Sequence, residues 1–236
     1  MSVFHFKQFS VIQKNSSHKV GTDGVLLGAW TNYILPHNFL QILDIGSGTG
    51  VISLMMAQAY HNAQITSIDN DIDSTIEAAN NFNNSPWEKR LHIHNCALSA
   101  FIPKSKFELI ISNPPFYKEH TISPNRRRAA ARHIHSLTPA QIFSFAATNL
   151  TENGYLCMIL PYYHYDDIQN LSSMYALHWA YKCKVRPKVS KTPNRILLCL
   201  TLQEIIPKYS QLTIYEEDNV YTSEYIEICK DYYLNM

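Results

Sequence analysis

Short apolar runs that end on turn residues recur along the chain, and amphipathic stretches separate them. Runs at Gln41–Ile45, Gln64–Asp69, Leu91–Asn95 and Phe107–Ser112, then at Tyr155–Leu160, Trp179–Val185 and Ile196–Leu202, have the length and composition of buried strands. Helical spacing fills Gly50–Tyr60, Asp71–Asn84, Pro139–Leu150 and Asp166–Tyr175, the third opening on Thr138-Pro139 as N-cap and first helical residue. Strands alternating with helices specify βαβ units, so the expected class is α/β: a seven-stranded, mostly parallel sheet with helices on both faces. The last two strands break the pattern. Only Arg186–Asn194 joins them, too short for a parallel crossover, so they should form an antiparallel hairpin. After Pro207 the pattern gives a short strand and then a terminal helix.

Composition changes this picture little. A chain of 236 residues with 46% hydrophobic and 17% charged residues can bury a large core, which sets aside disordered and coiled-coil classes. One domain is expected over residues 1–236, with an N-terminal segment (1–35), a long connection (112–136) and a C-terminal extension (207–236). The connection carries Pro114, Pro115, Pro124 and several arginines; a stretch of that length without periodicity is usually functional, and it is taken as a substrate loop. There is no apolar run of about 18 residues and no secretory leader in MSVFHFKQFS, so a cytoplasmic protein without membrane contact is expected. Five cysteines without a C-x-x-C pair suit free thiols, with neither disulfide nor metal site.

Charge argues both ways. A formal net charge of +1 is a poor fit to a nucleic-acid binder judged on the whole chain. Two local clusters nevertheless stand out: Arg126, Arg127, Arg128 and Arg132 in one, and Lys182, Lys184, Arg186, Lys188, Lys191 and Arg195 in the other. Each can be a solvated face or a contact to a polyanion.

Candidate chemistry starts with the glycines. The chain has seven, and six fall in two places: Gly21, Gly24 and Gly28, then Gly46, Gly48 and Gly50. Gly46-Ser47-Gly48-Thr49-Gly50 follows one strand and opens a helix, at the sheet edge where α/β proteins bind ligands. Asp69 ends the next strand, where a carboxylate can take both ribose hydroxyls of an adenosine. A tight turn beside a solvated aspartate is the alternative. No G-x-x-x-x-G-K-[ST] segment is present, which argues against a nucleoside triphosphatase.

Asn113-Pro114-Pro115-Phe116 follows the strand Phe107–Ser112 and hangs over the same edge. An exocyclic amine shares its lone pair with its ring until hydrogen bonds to both N–H protons let it pyramidalise. The Asn113 side-chain carbonyl and the Pro114 main-chain carbonyl can be those acceptors, and the proline pair stiffens the loop. Phe116 offers a face on which an unstacked base can lie. The attacked nitrogen becomes acidic as it is alkylated, so no general base is required of His133, His135 or any other histidine.

LDIGSGTG (Leu43–Gly50) with NPPF resembles the class I adenine N6-methyltransferases. FKQF (Phe6–Phe9), KVGTDGVLLGAW (Lys19–Trp30), the closing YTSEYIEICKDYYL and the lack of a further domain narrow the resemblance to bacterial tRNA methyltransferases acting on adenine 37 of a valine tRNA. The resemblance implies S-adenosylmethionine as cofactor, no metal, tRNA as partner and no obligatory protein partner. It implies that Gln8, Lys19, Gly21, Thr22, Asp23 and Gly24 close over the methionine end of the cofactor. Asp44, Gly46, Ser47, Gly48 and Gly50 would line its middle, with Asp69 and Asn70 at the ribose and Cys96 and Ala97 near its adenine. Asn113, Pro114 and Phe116 would carry catalysis, and Pro115, Tyr117, Arg126, Arg127, Arg128 and Arg132 would help to hold the RNA. One departure is visible: Asn95-Cys96-Ala97 stands where relatives often have Gly-Asp-Ala, which bears on cofactor affinity and not on reaction type. The same amine chemistry would serve N5-methylation of a protein glutamine, although such enzymes add an N-terminal helical domain. DNA adenine methylation and a non-enzymatic RNA-binding module are further alternatives.

Overall fold

The computed structural model describes residues 2–16, 19–115 and 137–236. Its elements run β1 (Val3–His5), β2 (Ser10–Ile12), α1 (Thr22–Ile34), β3 (Gln41–Ile45), α2 (Val51–Ala59), β4 (Gln64–Asp69), α3 (Ile72–Asn83), β5 (Leu91–Asn95) and β6 (Phe107–Ser112). They continue with α4 (Pro139–Asn149), β7 (Leu150–Pro161), α5 (Tyr165–Met174), β8 (His178–Lys188), β9 (Arg195–Thr201), β10 (Lys208–Tyr215) and α6 (Ser223–Cys229). Strands β3 to β6 have the bounds expected from the sequence. One sheet has the order β10-β8-β9-β7-β6-β3-β4-β5, and β1-β2 is a separate hairpin. β9 alone runs antiparallel, to both β7 and β8, so the expected terminal hairpin is present. The strand expected after Pro207 joins the sheet as β10, parallel to β8, which makes the sheet eight-stranded and not seven.

Two layers of apolar packing flank the sheet. Side chains of α1, α2, α3 and α6 fill the larger cluster, and α4 and α5 close the other face through Ile142, Phe143, Ala146 and Ile168. The helix α1 is absent from the sequence expectations, and burial explains why. Every residue from Gly24 to Thr31 is buried, so no polar face marks its period. Gly28 lets α1 meet α2 closely, because a Cβ there would stand 2.8 Å from the Met55 sulfur. The far end of α2 is held by Arg90, whose guanidinium donates to the carbonyls of Ala57 (2.7 Å), Tyr60 (3.0 Å) and Ala63 (2.8 Å). α4 opens on the expected Thr138 cap, completed by Gln141 into a capping box.

The five cysteines are free, four of them buried and Cys96 half-buried. Among the described residues no helix is long and apolar enough to cross a membrane.

Candidate active site

The C-terminal ends of β3, β4, β5 and β6, together with the start of α1, enclose a cavity of about 820 Å³. That volume suits a nucleoside-sized ligand. The turn from β3 into α2 forms its floor, and Gly46, Gly48 and Gly50 all hold positive φ there (73°, 54° and 80°). Gly50 is fixed twice, by its φ and by packing, since a Cβ on it would fall 2.4 Å from the Phe82 ring. A Cβ at Gly48 would meet nothing within 4 Å, so its main chain lies open.

Asp69 ends β4 beside this turn. One carboxylate oxygen accepts from the Gly48 amide at 2.8 Å and the other from the Asp71 amide at 2.9 Å, which fixes the carboxylate at the cavity wall. Its main chain is braced by Asn95, whose amide nitrogen donates to the Asp69 carbonyl (3.0 Å) and to the Thr75 hydroxyl (3.1 Å). The Cys96 amide donates to the same carbonyl at 3.0 Å, and burial pushes the Cys96 thiol above its ordinary pKa. The wall at Cys96 is therefore neutral.

Lys19, Gly21, Thr22, Asp23 and Gly24 line the cavity as expected, along with Gly46, Ser47, Gly48, Asn70 and Ala97. Asn113, Pro114 and Pro115 reach it from the end of β6. Gly24 lies against Asn113, whose amide nitrogen would stand in ordinary contact, at 3.8 Å, with a Cβ at that position. Asp23 also pairs with Arg195 of β9 (Nε to Oδ2, 2.8 Å), which ties the start of α1 to the end of the expected basic stretch.

Three expected cofactor residues do not line the cavity. Gln8 is exposed in the tight β1–β2 turn, where Phe6 donates to the Phe9 carbonyl and Lys7 bonds to residues near the C-terminus. Gly50 faces Phe82 and the core. Asp44 is wholly buried beneath the turn, where Ser53 Oγ donates to Oδ2 at 2.6 Å and the Ser53 and Ser67 hydroxyls are 2.8 Å apart. Among the described residues its Oδ1 has no hydrogen-bond partner. Loss of solvent, with Asp69 nearby, raises its pKa to about 7 against the pull of Ser53. Phe116, Tyr117, Arg126, Arg127, Arg128 and Arg132 lie outside the described residues.

Two site residues were not expected from the sequence. Glu77, buried on α3, accepts from the backbone amides of Lys14, Asn15 (2.8 Å) and Ser16 (2.6 Å). One turn further, Asn81 accepts from Ile12 N (2.8 Å) and donates to Ile12 O and Thr49 O (both 2.9 Å). Together they dock the segment leading to Lys19 and Gly21 against α3, and Asn81 links that segment to the glycine turn. The buried face of α3 mixes Glu77 and Asn81 with Ala78 and Phe82 while Ile72 and Ile76 are exposed, so no sequence pattern marked these two residues.

The open glycine backbone, the fixed Asp69 carboxylate and the apolar walls of Ile45, Ile52, Ile68 and Leu98 fit an adenosine carrying a positively charged tail. A predicted O-methyltransferase from Agrobacterium tumefaciens shares this fold, with a TM-score of 0.70 at 14% identity over 91% of this chain and all of the other. The family profile described as "Methyltransferase small domain" matches residues 32–167. Fold and profile thus define a class I S-adenosylmethionine-dependent methyltransferase.

Full-length relatives narrow this further. The tRNA1(Val) (adenine(37)-N6)-methyltransferase of Flavobacterium psychrophilum is 38% identical over 236 residues, covering 99% of this chain and 100% of its own. The protein of the same name from Haemophilus influenzae is 38% identical over 237 residues, covering 99% of each. The chain belongs to the tRNA1(Val) (adenine(37)-N6)-methyltransferase family.

Proposed function

We propose that this protein transfers the methyl group of S-adenosylmethionine to the exocyclic N6 of adenine 37 in a valine tRNA. The observation that carries the reading is the position of Asn113 and Pro114: both directly follow β6, at the wall of the cavity that Asp69 and the glycine turn form. The cofactor supplies an electrophilic methyl on a sulfonium. The protein's own residues then bind, orient and hold.

Asp69 takes the ribose hydroxyls, as a carboxylate already fixed by two backbone amides. Lys19 and Gly21–Gly24 close the methionine end, held there by Glu77 and Asn81 acting on the preceding backbone. Asn113 Oδ1 and the Pro114 carbonyl accept the two N–H protons of the adenine amine, which turns its lone pair toward the methyl. Preorganised acceptors of this kind cost no reorganisation as charge develops on the nitrogen. Phe116 stacks on the extruded base, Pro115 and Tyr117 flank it, and Arg126, Arg127, Arg128 and Arg132 meet adjacent phosphates. The proton leaves to water after transfer. A tRNA substrate places the reaction in the cytoplasm.

The test is incubation with labelled S-adenosylmethionine and unmodified total tRNA, followed by digestion and chromatography of the nucleosides. Label in N6-methyladenosine is expected. Label that enters protein only, once a cell extract is added, would transfer the same site to a glutamine amide and overturn the reading.

A further inference from the structure

The basic stretch Lys182–Arg195 divides in two. Arg195 is consumed by Asp23, Arg186 donates to Thr213 (2.9 Å) and to the Val189 carbonyl (3.2 Å), and Lys188 donates to the Glu217 carbonyl (2.8 Å). These three hold the fold together. Lys182 and Lys184 are placed differently. The Lys182 ammonium stands over the rings of Tyr209 (4.4 Å), Tyr165 (4.6 Å) and Trp179 (5.4 Å) and donates to the Tyr165 hydroxyl at 2.6 Å. Lys184 stands over Tyr162 at 5.3 Å.

All of these side chains occupy one face of the β8–β10 end of the sheet. The opposite face is closed, because Cys183, Val185, Leu212 and Ile214 are packed in the larger cluster. The open face presents Tyr209, 64% exposed, and the exposed Gln211 beside the two lysines. On this face β8 and β10 carry Lys182, Lys184, Arg186 and Lys188 and no acidic residue, while Lys208 lies over Tyr181 on the opposite face and Glu216 and Glu224 adjoin the face beside Arg186 and Gln211. The face therefore complements a polyanion, and exposed rings beside cations suit phosphates next to bases.

Register fixes where this face lies. Ser112 pairs with Met158, Met158 with Leu198, Leu198 with Lys182 and Lys182 with Tyr209. Lys182 thus stands on the row of the sheet that ends β6 just before Asn113. Three strand spacings separate them, about 14 Å.

We infer that the open face of β8 and β10, centred on Lys182, Lys184 and Tyr209, docks the RNA stem adjoining the loop that enters the cavity. The inference rests on the tRNA reading above. The rings hold the two ammonium groups upright before RNA arrives, so their ordering entropy is already lost in the free protein.

The test compares full-length wild type with Lys182→Ala/Lys184→Ala, Tyr209→Ser and Lys104→Ala/Lys106→Ala. The last pair lies just before β6, at the end of that strand opposite Asn113. Direct tRNA binding, tRNA KM and S-adenosylmethionine affinity are measured for each across a salt series. The double variant of Lys182 and Lys184 should raise the tRNA KM roughly ten-fold and lower the salt slope of binding by about two, with cofactor affinity unchanged. Tyr209→Ser should weaken RNA binding and leave the slope unchanged, and the Lys104 and Lys106 control should match wild type. If wild type binds and methylates tRNA while the Lys182 and Lys184 variant matches it in KM and slope, the docking inference falls alone. If wild type neither binds nor methylates tRNA, the substrate reading falls and takes this inference with it.

Discussion

The two ends of the sheet are built from opposite charges. Around β4 and α3 the cofactor cavity is shaped by the carboxylates Asp69 and Glu77, both held by backbone amides, above the buried Asp44, whose one hydrogen-bond partner among the described residues is Ser53. Around β8 and β10 the side chains are lysines on aromatic rings, with no carboxylate in either strand. One end suits a cationic cofactor with a ribose diol and the other a polyanion. The net charge of +1 averages over such local differences, which is why charge over the whole chain says little about its partner.

The largest effect should come where the two ends meet. Asn113→Ala should lower kcat by about a thousand-fold, the scale of losing one preorganised partner for developing charge, with cofactor binding retained by calorimetry. Loss of cofactor binding with turnover intact would move Asn113 to the cofactor end. Asp69→Ala should weaken S-adenosylmethionine binding by roughly a hundred-fold, the scale of hydrogen bonds to a charged group, and leave tRNA affinity as it was. A matching loss of RNA affinity would erase the division between the ends.

Asp44 sharpens the comparison through pH. Its pKa is raised to about 7 in the fold, against about 4 in an unfolded chain, so between these values the folded state holds a proton that the unfolded state has lost. Stability from this group is therefore present at acid pH and declines as pH rises through 7. Urea unfolding of the ligand-free protein should show a loss on the order of 2 kcal/mol between pH 5 and pH 7 that Asp44→Asn removes. An equal pH dependence in both proteins would mean the carboxylate is solvated.

The smallest effect concerns the strap ahead of α1. Asn81→Ala removes its bonds to Ile12 and Thr49 and should weaken cofactor binding about ten-fold with kcat nearly unchanged, while protease cutting within residues 12–20 increases. Unchanged cutting would make Asn81 a local fixture of α3.

How far the sequence disclosed this arrangement depended on whether burial was one-sided. Strands β3 to β6 are short, β3, β4 and β6 mostly buried and β5 at the sheet edge, and turn residues bound them, so their limits were legible to the residue. α1 was hidden because it is apolar all round, and β1 and β2 because three residues carry no usable period. The glycine turn, Asp69 and Asn113 were legible because their chemistry is local in the chain. Glu77 and Asn81 were not, since the backbone they hold is distant in the chain, 61 residues away at Ser16, 69 at Ile12 and 32 at Thr49. Gln8 and Asp44 were expected at the cofactor through resemblance alone and Gly50 through the glycine turn as well; in the structure Gln8 lies in an exposed turn, Asp44 is buried beneath the glycine turn and Gly50 packs against Phe82.

The hydrogen-bonded row from Ser112 to Tyr209 has a further consequence. Strand spacing is set by backbone geometry and barely responds to side-chain changes, so the sheet is a ruler with fixed graduations. With RNA docked as inferred, the enzyme measures the distance from a stem to an unstacked adenine. An RNA that offers the right base at the wrong distance from its stem is refused by length alone, before any base edge is read.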